Sequence, residues 1–347
     1  MRACVCQIVP PDVLARLAKD RKLTPAQRRA FARAAKLEPE WRGLRAATTR
    51  VAQLCRDTLP VATVAAAVQA PVSITVFDCE HGNVLPGRSV IQPYSSGDDT
   101  ARRTFTETTE VARFYREIFG RNSLDGEGMA LMSSIHYSVD YNNAFWNGGQ
   151  MVYGDGDGEI FLDFTRATDV IAHELTHGVT QFTAGLAYEG EAGGLNESMS
   201  DVFGTMFRQW RAGQNVAAAD WLIGADILGP GARARGYTCL RDLADPGADH
   251  CLAPQPSHFS QYRKGMDPHE SSGMPNHAFQ QAAMALEGHS WEIAGRIWFQ
   301  ALTGPAPSPN MTMKLFANRT RTAASKLFSG RPAVRAAVDV AWKVVGL

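Results

Sequence analysis

The feature that most constrains the fold is a five-residue segment, HELTH, at residues 173–177 within a stretch of helical spacing. Residues i and i+4 of an α-helix share one face, so His173 and His177 can direct their imidazoles at one metal ion, with Glu174 beside it. A chance match on a surface helix is the alternative interpretation. Because catalytic zinc takes three protein ligands and keeps one position for water, a functional site requires a second element that brings a third ligand.

A candidate third ligand lies in the segment GLNESMSD at residues 194–201. Glu197 follows His177 by 20 residues, which leaves room for a turn and a returning helix. Asp201 and Asn196 on the same stretch can each accept a hydrogen bond from a ligand imidazole. An exposed carboxylate pair on a helix is the alternative, and the spacing favours the metal site.

The 347-residue chain divides into three parts by its secondary-structure signals. Residues 12–50 have helical spacing, with Pro25 at the first turn of a second helix. Short strands and turns fill 72–160 around one helical stretch at 100–119, and helical spacing dominates from Asp169 onward. The predicted class is α+β: a β-rich N-terminal lobe, an α-helical C-terminal lobe, the active-site helix between them, and a short helical segment before both. The predicted boundaries are 1–60, 61–185 and 186–347.

Charge is distributed unevenly, although the net charge of the chain is zero. The first 56 residues carry thirteen basic and four acidic side chains, a net of +9, so the remainder carries −9. Such a basic segment binds nucleic acid, forms a solvated helix or docks on its own acidic body, and we expect docking. No apolar run approaches the ~20 residues that cross a bilayer. The N-terminus also lacks the apolar core of a secretory signal, so classical export is not expected.

Six cysteines are too few for a disulfide scaffold and lack paired zinc-ribbon spacing. Cys239 and Cys251 lie 12 residues apart in a loop-like stretch. They either form a disulfide in an oxidising environment or remain two free thiols.

Several longer motifs resemble the thermolysin family of zinc endopeptidases. They are HELTHGVTQFTAGLAY, GLNESMSDVFGT, YNNAFWNGGQMVYGDGDG and the late segment HESSGM at 269–274. The resemblance spans about 140–347, with weaker similarity from about residue 72. The segment CQIVPPDVL at 6–14 resembles the short pro-segment of the protealysin-type branch.

This resemblance implies a zinc-dependent neutral endopeptidase made as a zymogen. The two histidines of HELTH and Glu197 would bind one zinc ion, whose bound water has a pKa near 7. Glu174 would be the general base that activates this water for attack on the peptide carbonyl. Tyr188 and His269 would donate hydrogen bonds to the developing oxyanion.

The resemblance also implies how a substrate chain is held. Asn143 and the backbone of Ala144 would hold the substrate backbone, and Arg241 would bind a substrate carbonyl. Five apolar side chains would line the pocket for the residue just after the scissile bond: Phe161, Phe164, Val170, Ile223 and Leu240. Because none of the five carries a charge, we expect a large hydrophobic residue there. Some of them are alternatively plain core residues.

The chain departs from the family at the calcium ligands. Asp169 and Asp220 match two carboxylates of the family's double calcium site, but Arg208, Leu222 and Ala225 stand where further carboxylates would be. Calcium prefers six to eight oxygen ligands, so the double site is predicted to be absent, with one weak ion left open.

A second departure precedes His269, where Met266-Asp267-Pro268 replaces the family's glycine-rich run. The acidic partner expected a few residues upstream is missing. The pattern therefore leaves the orientation and the pKa of His269 open.

The N-terminal segment is expected to inhibit the enzyme to which it is attached. Cys4 or Cys6 can place a thiolate on zinc as an inhibitory switch. Alternatively the cysteines only pack, and the stiff prolines at 10–11 block the cleft. Removal of the segment near 45–70 releases activity under either hypothesis.

A catalytically silent peptide-binding relative, held closed by its basic N-terminal segment, is the alternative function. Such relatives lose the base or a metal ligand, and Glu174, His173, His177 and Glu197 are all present. The expected partners are protein or peptide substrates and the chain's own pro-segment, without nucleic acid or membrane, because no base-reading motif accompanies the basic residues. We expect a monomer that is secreted by a non-classical route, with a cytoplasmic location as the alternative.

Overall fold

The computed structural model describes residues 6–36, 71–304 and 308–347. Its N-terminal half is built on a six-stranded sheet in the order β1-β5-β6-β4-β2-β3. The strands are β1 Cys6–Gln7, β2 Ile74–Asp78, β3 Arg88–Ser89, β4 Leu131–Ile135, β5 Ala144–Trp146 and β6 Met151–Tyr153. The three central strands β6, β4 and β2 run parallel, while β5 and β3 pair antiparallel at the sides. The carboxyl ends of three neighbouring strands therefore meet at one edge of the sheet.

A long helix, α3, covers this sheet from Asp99 to Phe119. It begins where the Asp98 side chain accepts a hydrogen bond from the Thr100 backbone N–H, which satisfies one of the free donors of the first turn. It ends at Gly120, whose φ of +66° is the left-handed conformation typical after a helix. The predicted helix at 100–119 is thus present.

The helix that contains HELTH is α4, Thr168–Gln181, and twelve of its residues are buried. It packs against α5, Gly190–Ala212, and against α3 and β5. Gly204 on α5 permits this close approach, since a Cβ there would lie 2.7 Å from the Asp169 carbonyl oxygen. The amphipathic pattern of a surface helix is absent because both sides of α4 are covered.

The C-terminal half is mostly helical and contains a two-stranded antiparallel sheet, β7 Leu222–Ile223 and β8 Arg241–Asp242. Its helices are α6 Pro230–Arg233, α7 Pro268–Ser271, α8 Gly273–Leu286, α9 Ala294–Thr303, α10 Met313–Leu327 and α11 Pro332–Val344. Trp298 and Trp342 are fully buried and stack with ring centroids 5.9 Å apart, with Phe316 beside them. The predicted α+β fold, a β-rich part followed by a helical part, is confirmed.

The described N-terminal residues form α1, Pro11–Ala18, and a second helix, α2, over residues 25–36. Pro25 begins the second helix, as predicted. The apolar side chains Val13, Leu14 and Phe31 are buried in the core, and Phe31 meets Phe161 edge-on at 6.2 Å between centroids. The segment is therefore packed on the body of the protein. Among the described residues, no helix combines the length and the apolar character needed to cross a membrane.

Candidate active site

The three predicted metal ligands lie together between α4 and α5. The Nε2 atoms of His173 and His177 are 3.2 Å apart, and each lies 3.5 Å from a different carboxylate oxygen of Glu197. All three side chains are buried. One helical turn positions the two imidazoles, and the antiparallel packing of α5 brings the carboxylate to them.

The chemistry of this cluster fits a zinc ion. Glu197 Oε2 is buried and accepts no hydrogen bond, although a buried carboxylate oxygen needs a cationic or hydrogen-bonding partner. Burial alone would raise the pKa of Glu197, but the charges of His269 and His177 hold it well below its ordinary value. Two imidazole nitrogens and an ionised carboxylate converging on one point are the ligand set of a catalytic zinc site.

A second group of side chains orients the ligands. Asp201 Oδ1 lies 2.9 Å from His173 Nδ1, and Asn196 Oδ1 lies 2.9 Å from His177 Nδ1, as the sequence predicted. Arg241 Nε and Asn276 Nδ2 both donate to Asp201 Oδ2, at 2.8 and 2.9 Å. Burial would raise the pKa of Asp201, but Arg241 and His173 lower it to about 2, so it is ionised.

Sequence reasoning missed Asn276 and Ser200. The hydroxyl of Ser200 lies 3.0 Å from His177 Nδ1, and its position four residues after Asn196 on α5 was a signal that the sequence offered. Asn276, in contrast, reaches Asp201 from α8. No local pattern indicates a contact over 75 residues of sequence.

Glu174 lies on the same turn of α4 as the ligands and is fully buried. Its Oε2 accepts a hydrogen bond from the backbone N–H of Trp146 on β5, at 3.0 Å. The carboxylate is thereby fixed between the metal cluster and strand β5.

Tyr188 and His269 meet beside Glu197. The Tyr188 hydroxyl donates to Glu197 Oε1 and lies 3.3 Å from His269 Nε2. Burial would lower the pKa of His269, but Glu197 and Asp267 raise it to about 9.

The expectation that His269 lacks an acidic partner is wrong. Asp267 Oδ1 lies 2.8 Å from His269 Nδ1 and also accepts the His269 backbone N–H, at 2.9 Å. Asp267 caps the first turn of α7, and this geometry lets a carboxylate two residues upstream reach the ring. The family pattern places the acidic partner farther upstream, so it does not indicate Asp267.

The three groups predicted to hold a substrate backbone, Asn143, Ala144 and Arg241, all contact residues 7–9 of the N-terminal segment. β1 pairs antiparallel with β5, with Gln7 opposite Phe145. The Ile8 backbone N–H donates to the Ala144 carbonyl at 3.3 Å, and Arg241 Nη1 donates to the Ile8 carbonyl at 2.9 Å.

Asn143 continues this pairing, because its side chain accepts from the Val9 N–H at 2.9 Å and donates to the Val9 carbonyl at 3.1 Å. His269 Nε2 lies 2.5 Å from the Gln7 carbonyl oxygen. The Gln7–Ile8 peptide bond is therefore beside the metal cluster.

The five predicted pocket residues are all buried at 0% exposure, and so is Ile8: Phe161, Phe164, Val170, Ile223 and Leu240. Phe161 and Phe164 are in ring contact, 5.4 Å between centroids. Burial alone does not separate a pocket wall from ordinary core, so the assignment stays a prediction.

The cysteine predictions have different outcomes. Cys4 lies outside the described residues, and Cys6 is described only as a backbone position in β1, so the proposed switch stays a prediction. Cys239 and Cys251 are buried free thiols with their sulfurs 3.7 Å apart.

An arginine occupies the position where the family's calcium carboxylates were expected. Arg208 Nη1 lies 3.0 Å from Asp220 Oδ1, and Nη2 lies 3.9 Å from Asp226 Oδ2. The buried Asp169 accepts backbone N–H groups of Val170 and Gly224. The guanidinium thus supplies the positive charge among these carboxylates, and the missing double calcium site stays a prediction.

Comparisons with known proteins agree with this geometry. The chain matches the catalytic domain of the thermolysin metallopeptidases over residues 92–181 and their alpha-helical domain over residues 184–347. An extracellular metalloprotease of Pectobacterium carotovorum subsp. carotovorum is 45% identical to it, over 79% of this chain and 80% of that protein. Protease PrtS of a Photorhabdus strain is 38% identical, over 79% and 76%. The solved precursor of protealysin, a metalloproteinase from Serratia proteamaculans, has a TM-score of 0.83 and 35% identity, covering 98% of this chain and 99% of that one.

Proposed function

The chain belongs to the thermolysin family and is a zinc metalloendopeptidase made as a precursor, and on that basis we propose that its site residues act as follows. His173, His177 and Glu197 hold the zinc ion. The observation that carries the proposal is the path of residues 7–9, whose backbone hydrogen bonds with Asn143 and Ala144 are those that an extended substrate would make.

Zinc, when bound, supplies a Lewis acid that makes water nucleophilic at neutral pH. Glu174 takes the proton of the attacking water and delivers it to the leaving amine, since its carboxylate is buried beside the ligands and fixed by the Trp146 N–H. Tyr188 and His269 donate hydrogen bonds to the carbonyl oxygen as it becomes negative. The carbonyl of Gln7 marks that position in the precursor, 2.5 Å from His269 Nε2.

The substrate preference follows from the residue after that carbonyl. Ile8 is completely buried, and Arg241 binds its carbonyl oxygen at 2.9 Å. We propose that a substrate places a large aliphatic or aromatic side chain where Ile8 lies, in the pocket formed by Phe161, Phe164, Val170, Ile223 and Leu240. Burying such a side chain is worth about 1.5–3 kcal/mol.

The N-terminal segment inhibits the enzyme because it fills the substrate groove. A substrate cannot pair with β5 while β1 occupies that edge. We propose that the pro-segment, approximately residues 1–60, leaves after cleavage, and that 61–185 and 186–347 form the two lobes of the mature enzyme. Extracellular action of a monomer, exported by a non-classical route, is part of the same proposal, and a relative named as extracellular supports the location.

Digestion of casein by the mature chain tests the activity. We expect hydrolysis that a zinc chelator abolishes and that added zinc restores. Mass spectrometry of the products should show cleavage before Leu, Ile, Phe and similar residues. Products with charged residues after the cut would refute the pocket assignment, and cleavage that is indifferent to the chelator would refute the zinc mechanism.

A further inference from the structure

Three loops at one edge of the sheet bring together side chains that the proposed reaction does not use. Strands β2, β4 and β6 end at Asp78, Ile135 and Tyr153, and all three run parallel. His81, His136 and Asp155 follow these ends within three residues. The carboxyl ends of neighbouring parallel strands thus place two imidazoles and a carboxylate at one point.

Their distances suit a single ion. His136 Nδ1 lies 2.8 Å from Asp155 Oδ1, and His81 Nδ1 lies 3.3 Å from Asp155 Oδ2. One ligand atom from each residue lies within 4.8 Å of the other two. Zinc–ligand bonds of about 2.0–2.1 Å place the ligands of a tetrahedral site about 3.3 Å apart, so small side-chain rotations complete the geometry.

The backbone holds the two histidines in place before any ion binds. The His81 N–H donates to the His136 carbonyl at 2.9 Å, and the Tyr137 N–H donates to the Tyr153 carbonyl at 3.1 Å. His81 and His136 have φ angles of +59° and +51°, a region that residues other than glycine adopt uncommonly. These bonds tie the three loops together beyond the ends of the strands.

A fourth residue orients His136. Its Nε2 lies 2.9 Å from Asp98 Oδ2, while Nδ1 faces the cluster. Asp98 is itself fixed, because its other oxygen caps α3 by accepting the Thr100 N–H at 2.8 Å. A carboxylate on the far nitrogen of an imidazole is the usual support for a metal-ligating histidine.

We propose that His81, His136 and Asp155 bind a second zinc-type divalent ion, remote in sequence from the HELTH cluster. Mixed nitrogen and oxygen ligands suit such ions better than calcium or magnesium. The side chains of His81, His136 and Asp155 are 58%, 20% and 25% exposed, so an ion can enter from solvent and keep a water ligand. The ion would link the loop after β2 to the ends of β4 and β6.

The competing account is an ion pair without metal, in which a proton on His136 holds both Asp98 and Asp155. Zinc content of the full-length chain separates the two accounts. After removal of all metal and equilibration with micromolar zinc chloride, we expect elemental mass spectrometry to find two zinc ions per chain. His81→Gln should bind one, and since His81 is exposed, this change should leave folding intact.

His289→Gln is the matched control, because His289 is also a surface histidine beside a carboxylate, 3.2 Å from Glu292, but belongs to none of the metal-ligand clusters among the described residues. It should bind two zinc ions, and Asp98→Asn should weaken the second site by about 10- to 100-fold. Zinc-edge anomalous scattering from a zinc-soaked crystal should place a peak between His81 and His136. One zinc per chain in the unchanged protein, or a count that His81→Gln does not alter, overturns the proposal.

Discussion

Glu174 and Glu197 are both buried carboxylates, but different neighbouring groups contact them. Each oxygen of Glu197 faces one imidazole of the HELTH pair, and one of them also accepts the Tyr188 hydroxyl, whereas Glu174 accepts a backbone N–H of β5 on one oxygen. The first arrangement suits a ligand and the second a base. At the residue scale, environment rather than residue type assigns the role.

Replacing Glu174 by Gln tests the base. The amide keeps the size of the side chain but accepts no proton, so we expect one zinc ion to remain in the HELTH cluster while turnover falls by about 10²–10⁴-fold. Peptide hydrolysis and zinc content measured on the same preparation check this. Near-normal turnover with zinc bound would remove Glu174 from the mechanism.

Asp267 supplies a second test, because it orients His269. Asp267→Asn should lower kcat with little change in KM, since the ring loses its ionised partner but the groove is untouched. The loss should be smaller than the about 10²–10³-fold expected for removing the His269 donor itself. Asp267→Glu is the comparison that keeps the charge. An equal kcat in Asp267→Asn and the unchanged enzyme would make the contact irrelevant to catalysis.

Site residues that are close together in the sequence could be predicted from their spacing. Site residues that only the tertiary fold brings together could not. The ligand pair on α4 and the support from Asp201 and Asn196 follow from helical periodicity. The position of Asn276 depends on how α8 packs against α5, and the Asp267–His269 contact depends on how α7 begins. Neither contact follows from a periodic pattern in the sequence.

At the scale of elements, the proposal makes latency depend on the two-residue strand β1. Ile8→Asp would bury a carboxylate where an apolar side chain now lies, at a cost of several kcal/mol. We expect β1 to leave the groove, so the uncut variant should hydrolyse a fluorogenic peptide while mass spectrometry shows the full chain length. Ile8→Leu should stay latent. Continued latency of the Ile8→Asp chain would mean that β1 does not control access.

The calcium prediction concerns the loop at residues 220–226, which contacts Asp169 at the start of α4. Arg208 lies between Asp220 and Asp226, and its charge opposes a cation there. Binding stabilises a protein only where a site exists, so melting temperatures with calcium and with a calcium-selective chelator should coincide. Arg208→Glu is the informative variant, because it alone should gain stability from calcium. A large calcium-dependent rise in the unchanged chain would refute the prediction.

The elements themselves were largely predictable, but their pairing was not. Alternation and turn residues indicate short strands between 72 and 160. The parallel pairing of β2 with β4 depends on the crossover through α3, and that of β4 with β6 on the intervening strand β5. Parallel neighbours are distant in sequence, so no turn signal specifies them.

At the scale of the whole molecule, the part of the head that the structure describes, residues 6–36, docks with fewer contacts between opposite charges than the net charges lead one to expect. In the described part of the head, Arg16 and Arg33 donate to the carbonyls of Leu252 and Val139. In the ion pair between Asp20 and Arg235, 2.6 Å apart, the acidic side chain belongs to the head and the basic one to the body, which is the opposite of the expected arrangement. Apolar burial and the groove contacts of residues 7–9 hold the segment, and net charge could not have predicted either.

The most direct test of the account follows hydrolysis of a fluorogenic peptide while the pro-segment is removed, with intact mass recorded at each time point. We predict near-zero activity in the full-length chain, a rise that coincides with loss of residues 1 to about 60, abolition by a zinc chelator and recovery with added zinc. A full-length chain that already hydrolyses the peptide at the mature rate, or a mature chain that the chelator does not affect, would contradict the account.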